Sequence, residues 1–97
     1  MGIQCRSLHY SRHAMERMFQ RAVPPEVVAH VIADGEVVAT YPDDTPFPSA
    51  LLLGHHDGKP LHVVIAQDSA TEDCHVVTVY RPTPELWDTT YKSRKKA

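Results

Sequence analysis

The feature that most constrains the fold is the Asp57-Gly58 pair, which separates two runs rich in apolar residues. The run before it is Ser49–His56 and the run after it is Lys59–Asp68. A two-residue Asp-Gly link between such runs is the strongest short-range signal of a β-hairpin. The sequence therefore predicts an antiparallel strand pair in the second half of the chain, and the other elements are placed around it.

Two helices are predicted before Gly35. Ser11 is a suitable N-cap for the first, which extends to about Ala22 before Val23-Pro24-Pro25 interrupts it. Pro25 suits the first turn of the second helix, and Gly35 suits its C-terminal end. Apolar residues follow helical spacing in both: Ala14, Met15, Met18, Phe19 and Ala22 in the first, and Val27, Val28, Val31 and Ile32 in the second.

After Gly35 the pattern favours strands. Two further strands are predicted at Glu36–Tyr41 and Cys74–Arg81, and residues 1–10 form either a short edge strand or a loose segment. Glu85–Tyr91 is predicted as a short helical turn anchored by Trp87, followed by a basic, mobile tail at 92–97. We therefore expect one α+β domain over residues 1–97, in which the two helices pack on one face of an approximately four-stranded antiparallel sheet. The other face is then free to carry a site.

Charge is distributed unevenly along the chain. The net charge is −2, yet residues 1–33 and 74–97 are basic while residues 34–73 are acidic. Basic ends that meet in the fold could form a positive patch that the net charge conceals. The sequence has no apolar run long enough for a membrane span and no apolar secretory signal, so we expect a cytoplasmic protein. Cys5 and Cys74 are too few for a disulfide framework, and reduced thiols are expected.

One side of the first helix carries an imidazole and two cations. His13, Arg17 and Arg21 are each four residues from the next, which aligns them on the helix surface. A titratable imidazole beside fixed guanidinium groups suits an anionic ligand such as a phosphate diester. The alternative interpretation is an ordinary solvated helix face whose charges pair with neighbouring acids.

The third and fourth strands supply the remaining candidates. Leu61, Val63 and Ile65 form the more apolar side of the third strand and should meet the helices, which leaves His62 on the opposite side. If the third and fourth strands pair with an even register sum, His62, Thr78 and Tyr80 share that free face. A slip of one residue would reverse this arrangement.

Metal-independent RNA cleavage requires a base, an acid and a cation near the phosphate. His62 and His13 are the candidate base and acid, and Arg17 is the candidate cation. Tyr80 could donate a proton or stack on a base, and Arg21, Thr78 and Arg81 are candidate substrate-binding residues. Each also has a structural interpretation as a packed or paired residue.

Several segments resemble one known family. They are Ser11–Arg21, Gly35-Glu36, Tyr41-Pro42-Asp43-Asp44, the stretch from Pro48 to Gly54, Pro60-Leu61-His62-Val63-Val64, Thr78-Val79-Tyr80-Arg81-Pro82 and Trp87. Over roughly residues 11–94 the chain is similar to a small bacterial family named only as a domain of unknown function. That family is grouped with toxin-like proteins of the barnase–EndoU–colicin–RelE class.

The resemblance implies a RelE/barnase-like α+β fold with a curved antiparallel sheet. It also implies kinship with metal-independent endoribonucleases and a small antitoxin, often of the zinc-finger type, as partner. The function we expect is thus a toxin-like RNA-cleaving or RNA-binding protein of a toxin–antitoxin system, without a cofactor. A fold shared with ribonucleases does not by itself establish ribonuclease activity, because one fold serves many functions.

Two alternatives remain open at this point. The acidic middle of the chain and an exposed sheet edge suit a non-catalytic module that binds another protein. The other alternative is a metal site built on the histidines. No compact ligand motif supports such a site, and no metal is expected. The oligomeric state is not determined by the sequence.

Overall fold

The computed structural model describes residues 2–94 and contains two helices and five strands in that range. In chain order they are β1 (Ser7–Tyr10), α1 (Arg12–Gln20), α2 (Pro25–Asp34), β2 (Glu36–Tyr41), β3 (Ser49–His56), β4 (Lys59–Gln67) and β5 (Asp73–Tyr80). The strands form one sheet in the order β1-β5-β4-β3-β2. The α+β class and the bounds of the central strands agree with the sequence-based prediction.

The sheet is mixed rather than antiparallel throughout, and it has five strands rather than about four. β1 runs parallel to β5, with Ser7 opposite Asp73 and Tyr10 opposite Val76, whereas the other neighbours are antiparallel. A four-residue strand has too little pattern to reveal its direction. β1 is an edge strand, which is one of the two interpretations that the sequence left open for residues 1–10.

The expectation of reduced thiols is wrong for this structure. Cys5 and Cys74 form a disulfide with their Cα atoms 5.6 Å apart. Because β1 lies alongside β5, the segment that enters β1 passes directly beside the buried Cys74. The bond joins residues 69 positions apart and therefore fastens the N-terminal segment to the sheet.

The central hairpin is confirmed. Asp57 and Gly58 adopt φ angles of 56° and 72°, the left-handed conformation that a two-residue hairpin turn requires. Between β4 and β5, His62 lies opposite Tyr80 and Val64 lies opposite Thr78, so the register sum is even, as the shared face required. A bulge follows Val64 and shifts the register beyond that point.

The helices cover one face of the sheet. Leu61, Val63 and Ile65 lie in the main core together with residues of both helices, as predicted. Gly54 of β3 permits the close approach of α2, because a Cβ at this position would lie 2.5 Å from the Cγ2 of Val31. We call the opposite side of the sheet the outer face.

The predicted apolar stripe of α1 is only partly buried. Ala14 and Met18 are in the core, but Met15 is 53% exposed and Phe19 is 89% exposed. The main contacts of α1 with the sheet are made to β5, and the helix follows β1 at the margin of the sheet, so only one row of its side chains is covered. The exposed pair forms an apolar area on the surface.

Residues 82–94 fold across the outer face, and we call this segment the strap. It begins with a single turn in which the Trp87 amide donates to the Thr83 carbonyl, and it continues in irregular structure rather than as a helix. Trp87 is buried and forms an isolated antiparallel bridge with Arg94. The sequence predicted that the outer face is free. In the structure the strap covers part of it.

The predicted mobile tail at 92–97 is also revised where the structure describes it. Lys92 Nζ lies 3.0 Å from Glu36 Oε2 on β2, and the Arg94 guanidinium lies 5.3 Å from the centre of the Trp87 ring. Both residues thus contact the rest of the protein. Residues 95–97 lie outside the described residues.

Candidate functional site

His62 lies at the centre of the outer face and has no exposed surface. Its Nε2 is 2.8 Å from the carbonyl oxygen of Tyr91, and its Nδ1 is 3.2 Å from the hydroxyl of Tyr80. A carbonyl can only accept, so Nε2 carries the proton, and Nδ1 accepts from the Tyr80 hydroxyl. Trp87 packs edge-to-face on the imidazole with ring centres 4.5 Å apart.

Burial fixes the protonation states of this pair. It lowers the pKa of His62 below its ordinary value of 6.5, an effect that the hydrogen bond to the Tyr91 carbonyl partly opposes. Burial likewise raises the pKa of the Tyr80 phenol above 10.0, and the nearby Arg94 partly opposes that shift. At neutral pH the imidazole is therefore uncharged and the phenol keeps its proton. With both nitrogens engaged, His62 is placed to hold the Tyr80 hydroxyl.

The second imidazole reaches the same strand from α1. Ser11 starts this helix by accepting a hydrogen bond from the Ala14 amide, and its hydroxyl donates to the Val77 carbonyl of β5. The cap therefore fixes the first turn of α1 against β5. In that turn, His13 Nε2 lies 3.1 Å from Thr78 Oγ1 and stays exposed to solvent.

These contacts bring four of the predicted residues into one row. Thr78 and Tyr80 are alternate residues of β5, so their side chains share a face and lie about 7 Å apart along the strand. His13 contacts Thr78, and His62 contacts Tyr80. Two imidazole–hydroxyl pairs thus occupy neighbouring positions on β5, one exposed and the other beneath the strap.

The two remaining helix candidates lie beyond this row. Arg17 is one turn after His13, is partly buried and donates to Gln20 Oε1 at 3.1 Å. Arg21 is the exposed C-cap residue of α1. In the part of the chain that the structure describes, neither guanidinium is paired with a carboxylate. Both charges are therefore available to an anion.

Arg81 is engaged elsewhere. Its guanidinium donates to the carbonyls of His56, Lys59 and Pro60, each at 3.2 Å. These three acceptors belong to the β3–β4 hairpin, so Arg81 fastens the end of β5 to that turn. The structure does not bring it into the row on β5.

An open groove lies on the outer face. It has a volume of about 600 Å³, with Val64 in its lining and Tyr41 and Asp43 at its β2 end. Asp44 also lines it and accepts a 2.6 Å hydrogen bond from the Ser49 hydroxyl. The groove is apolar near the sheet and acidic at this end, which makes the α1 end of the face the better place for an anion.

Sequence reasoning missed the residues that cover His62. Tyr91 supplies the carbonyl for Nε2 from a left-handed conformation with φ of 59°, and the pairing of Lys92 with Glu36 holds the strap across the sheet. One available signal was the uninterrupted apolar run Ala50-Leu51-Leu52-Leu53. A strand that is apolar on both sides is buried on both faces, which indicates that something covers the outer one.

Within residues 2–94, no group of three or more His, Cys, Asp or Glu side chains is arranged to hold a metal ion. Among the helices described, none has the length and apolar character needed to cross a membrane.

The fold and the row on β5 define the class: a small α+β domain with two helices on one face of a five-stranded mixed sheet. Residues 10–81 match the model of the family described as "Domain of unknown function (DUF4258)", and the chain belongs to this family. No curated protein and no solved structure matches the chain. The match includes His13, Arg17, His62 and Tyr80 but ends before the strap, whereas the sequence resemblance was expected to extend to about residue 94.

Proposed function

We propose that this protein binds single-stranded RNA on its outer face and acts as a metal-independent endoribonuclease of the toxin-like RelE/barnase class. The observation that carries the proposal is the row on β5, where His13–Thr78 and His62–Tyr80 occupy neighbouring positions. The side chains of Thr78 and Tyr80 are about 7 Å apart along the strand, so both pairs face the same stretch of a bound chain. The available charge of Arg17 lies one helical turn from His13.

Each residue has a distinct part in this proposal. Arg17 and Arg21 contact phosphate oxygens, because guanidinium groups donate two parallel hydrogen bonds to such anions. Thr78 orients the exposed imidazole of His13, which can exchange protons with the substrate. His62 is a positioning residue rather than the base expected from the sequence, since both of its nitrogens are occupied. Arg81 serves the hairpin and not the substrate.

The cleavage step balances with these groups. His13 takes the proton of the 2′-hydroxyl, and the 2′-oxygen attacks the adjacent phosphorus. The bond from phosphorus to the 5′-oxygen breaks, and the Tyr80 hydroxyl turns from Nδ1 of His62 and donates the proton that this leaving oxygen needs. The proton taken by His13 then returns to Tyr80 through solvent. The products are a 2′,3′-cyclic phosphate and a 5′-hydroxyl. No metal takes part, so chelators leave the rate unchanged.

Two arginines of α1 provide a matched test of the binding surface. Arg17→Ala should raise the dissociation constant for labelled single-stranded RNA about tenfold, measured by fluorescence anisotropy, because it removes a charge-assisted contact. Arg12→Ala removes the same charge from the same helix, at a position that is almost fully exposed and paired with Glu16, and should change it less than about twofold. Equal effects of the two variants, or no binding by the folded wild type, would refute the proposal.

Cleavage is tested separately on the same RNA. His13→Ala should abolish the 2′,3′-cyclic phosphate ends while leaving binding and the circular dichroism spectrum almost unchanged. Cleavage that persists in His13→Ala, or that stops when a chelator is added, would contradict the proposed chemistry.

The cellular location is part of this proposal and faces one conflicting observation. An RNA-targeting toxin acts in the cytoplasm, but disulfides such as Cys5–Cys74 persist mainly in oxidising compartments. Alkylation of thiols in cells lysed directly into denaturant distinguishes the two, because unfolding exposes the buried Cys74. Modified Cys5 and Cys74 would support a cytoplasmic site of action, and unmodified cysteines would place the protein elsewhere.

A second candidate function is a non-catalytic module that binds a small antitoxin of the zinc-finger type. The observation that favours it is the exposed pair of Met15 and Phe19, since a phenyl ring that is 89% exposed is unusual on an isolated surface. Phe19→Ser should then prevent co-purification with the protein encoded beside it, and Arg17→Ala should not. Co-purification that survives Phe19→Ser would contradict this second function.

A further inference from the structure

The strap lies on the surface that the proposed function assigns to RNA. We propose that residues 82–94 compete with RNA for the outer face, so that an unstacked base bearing a carbonyl group displaces Trp87 and Tyr91 from His62. This inference rests on the proposed RNA-binding function and adds to it a regulated base-binding position.

The contacts of the strap span most of the sheet. It leaves β5, places Trp87 and the Tyr91 carbonyl on His62 of β4, and reaches β2 through the 3.0 Å pair of Lys92 and Glu36. Since β3 lies between β4 and β2, the strap crosses three neighbouring strands. It therefore excludes any extended ligand from the covered half of the outer face.

The strap can leave without dismantling the core. The main core lies on the helix side of the sheet and contains side chains of α1, α2 and the strands, and Trp87 is not among them. The isolated bridge of Trp87 with Arg94 is internal to the strap, as is the hydrogen bond from the Asp88 amide to the Ser93 carbonyl. The strap is therefore held to the rest of the domain mainly by side-chain contacts.

What the strap presents to His62 resembles a nucleobase. A flat aromatic ring packs against the imidazole, and a carbonyl oxygen accepts the Nε2 proton. Uracil, cytosine and guanine each combine a flat ring with a carbonyl oxygen, whereas adenine has no carbonyl. Proteins that read single-stranded RNA commonly recognise unstacked bases through stacking and hydrogen bonds to the base edges. A carbonyl-bearing base can therefore replace both contacts at once.

Trp87 makes the displacement measurable, because it is the only tryptophan of the chain. Addition of a short oligo(U) to the wild-type protein should shift the Trp87 emission to longer wavelength and speed tryptic cleavage within the strap. Anisotropy of the labelled oligonucleotide reports binding in the same titration. Binding without either change would overturn the inference and leave the proposed function standing, whereas no binding at all would overturn both. Equal displacement by oligo(A) would also refute it, since adenine cannot supply the carbonyl.

A charge reversal separates competition from simple electrostatics. Lys92→Glu removes a positive charge, so electrostatic attraction alone predicts weaker binding to RNA. Competition predicts the opposite, because loss of the pair with Glu36 loosens the strap, and we expect oligo(U) to bind about two- to fivefold more tightly. The double variant Glu36→Lys with Lys92→Glu should restore wild-type affinity. Weaker binding by Lys92→Glu would overturn the inference.

Two further variants complete the series. Trp87→Ala removes the main anchor of the strap and should tighten binding at least about tenfold. Leu86→Ala alters the adjacent, exposed residue of the same segment and should leave affinity unchanged. Should Trp87→Ala fail to fold, the charge-reversal pair decides the matter. Equal affinities of folded Trp87→Ala and Leu86→Ala would refute the competition.

Discussion

The buried imidazole of His62 should make the stability of the fold depend on pH. In the native state Nε2 donates to the Tyr91 carbonyl and Nδ1 accepts from the Tyr80 hydroxyl. Protonation of Nδ1 would force the Tyr80 hydroxyl to turn from donor to acceptor and would place a charge in a site without exposed surface. The native pKa of His62 is therefore below its ordinary value of 6.5, with burial as the main cause.

The direction of the effect follows from proton uptake. Well above pH 6.5 the imidazole is neutral in both the folded and the unfolded chain and contributes no pH dependence. As the pH falls through 6.5 the unfolded chain binds a proton and the native chain does not, so the free energy of unfolding falls by up to about 1.4 kcal/mol per pH unit. The loss ends once the pH drops below the native pKa. Between about pH 7.5 and about pH 5.5 it amounts to at most about 1.4 kcal/mol.

The assay is urea unfolding of the wild type and of His62→Gln over this pH range, followed by circular dichroism. Glutamine supplies one donor and one acceptor but cannot be protonated, and all other ionisable groups are common to the two proteins. The difference between their free energies of unfolding should therefore shrink as the pH falls, with the wild type losing its advantage. A difference that is constant with pH would refute the assignment of His62 as a buried neutral imidazole.

Three other perturbations test separate parts of the structure. Arg81→Ala should lower the free energy of unfolding by about 1.5–3 kcal/mol in urea titrations, because it removes the donor of three hairpin carbonyls. The same variant should change the RNA dissociation constant less than about twofold. Cys5→Ser, or reduction with dithiothreitol, should lower the free energy of unfolding by up to about 4 kcal/mol, because the disulfide joins residues 69 positions apart. Thermal melts with and without reductant measure the loss. Ser11→Ala should cost about 1 kcal/mol in the same titrations by removing the N-cap of α1. Unchanged stability in any of these variants would contradict the contact that it removes.

Local signals were sufficient for the helices and the central strands. Ser11 and Pro25 mark the starts of the two helices, and Asp57-Gly58 fixes the hairpin. Each of these residues determines the backbone conformation of only the few residues around it, so its effect can be read from the local sequence. Alternation then placed His62 and Tyr80 on one face, which the even register confirmed. The predicted pairing of strands was correct wherever the strands are adjacent in sequence.

Contacts between distant parts of the chain were not accessible to the same reasoning. The parallel pairing of β1 with β5 and the disulfide of Cys5 with Cys74 join segments at opposite ends, and neither leaves a periodic pattern. The exposure of Phe19 has a similar origin, because helical spacing shows which residues share a side but not how much of that side the sheet covers. The position of α1 at the margin of the sheet decides that.

The apolar run of β3 bears on both the structure and the proposed function. Leu53 lies beside His62 on the outer face and Leu51 lies beside Val64, and both leucines are buried. Side chains of this kind on the outer face require a cover, and in the described structure the strap lies across this face. A ligand that reaches His62 must therefore replace the strap rather than add to it, and it must itself present apolar surface to Leu53. Bases fulfil that condition and phosphates do not, so the affinity gained by releasing the strap should depend on the base and persist at high salt, whereas the contribution of Arg17 should disappear there.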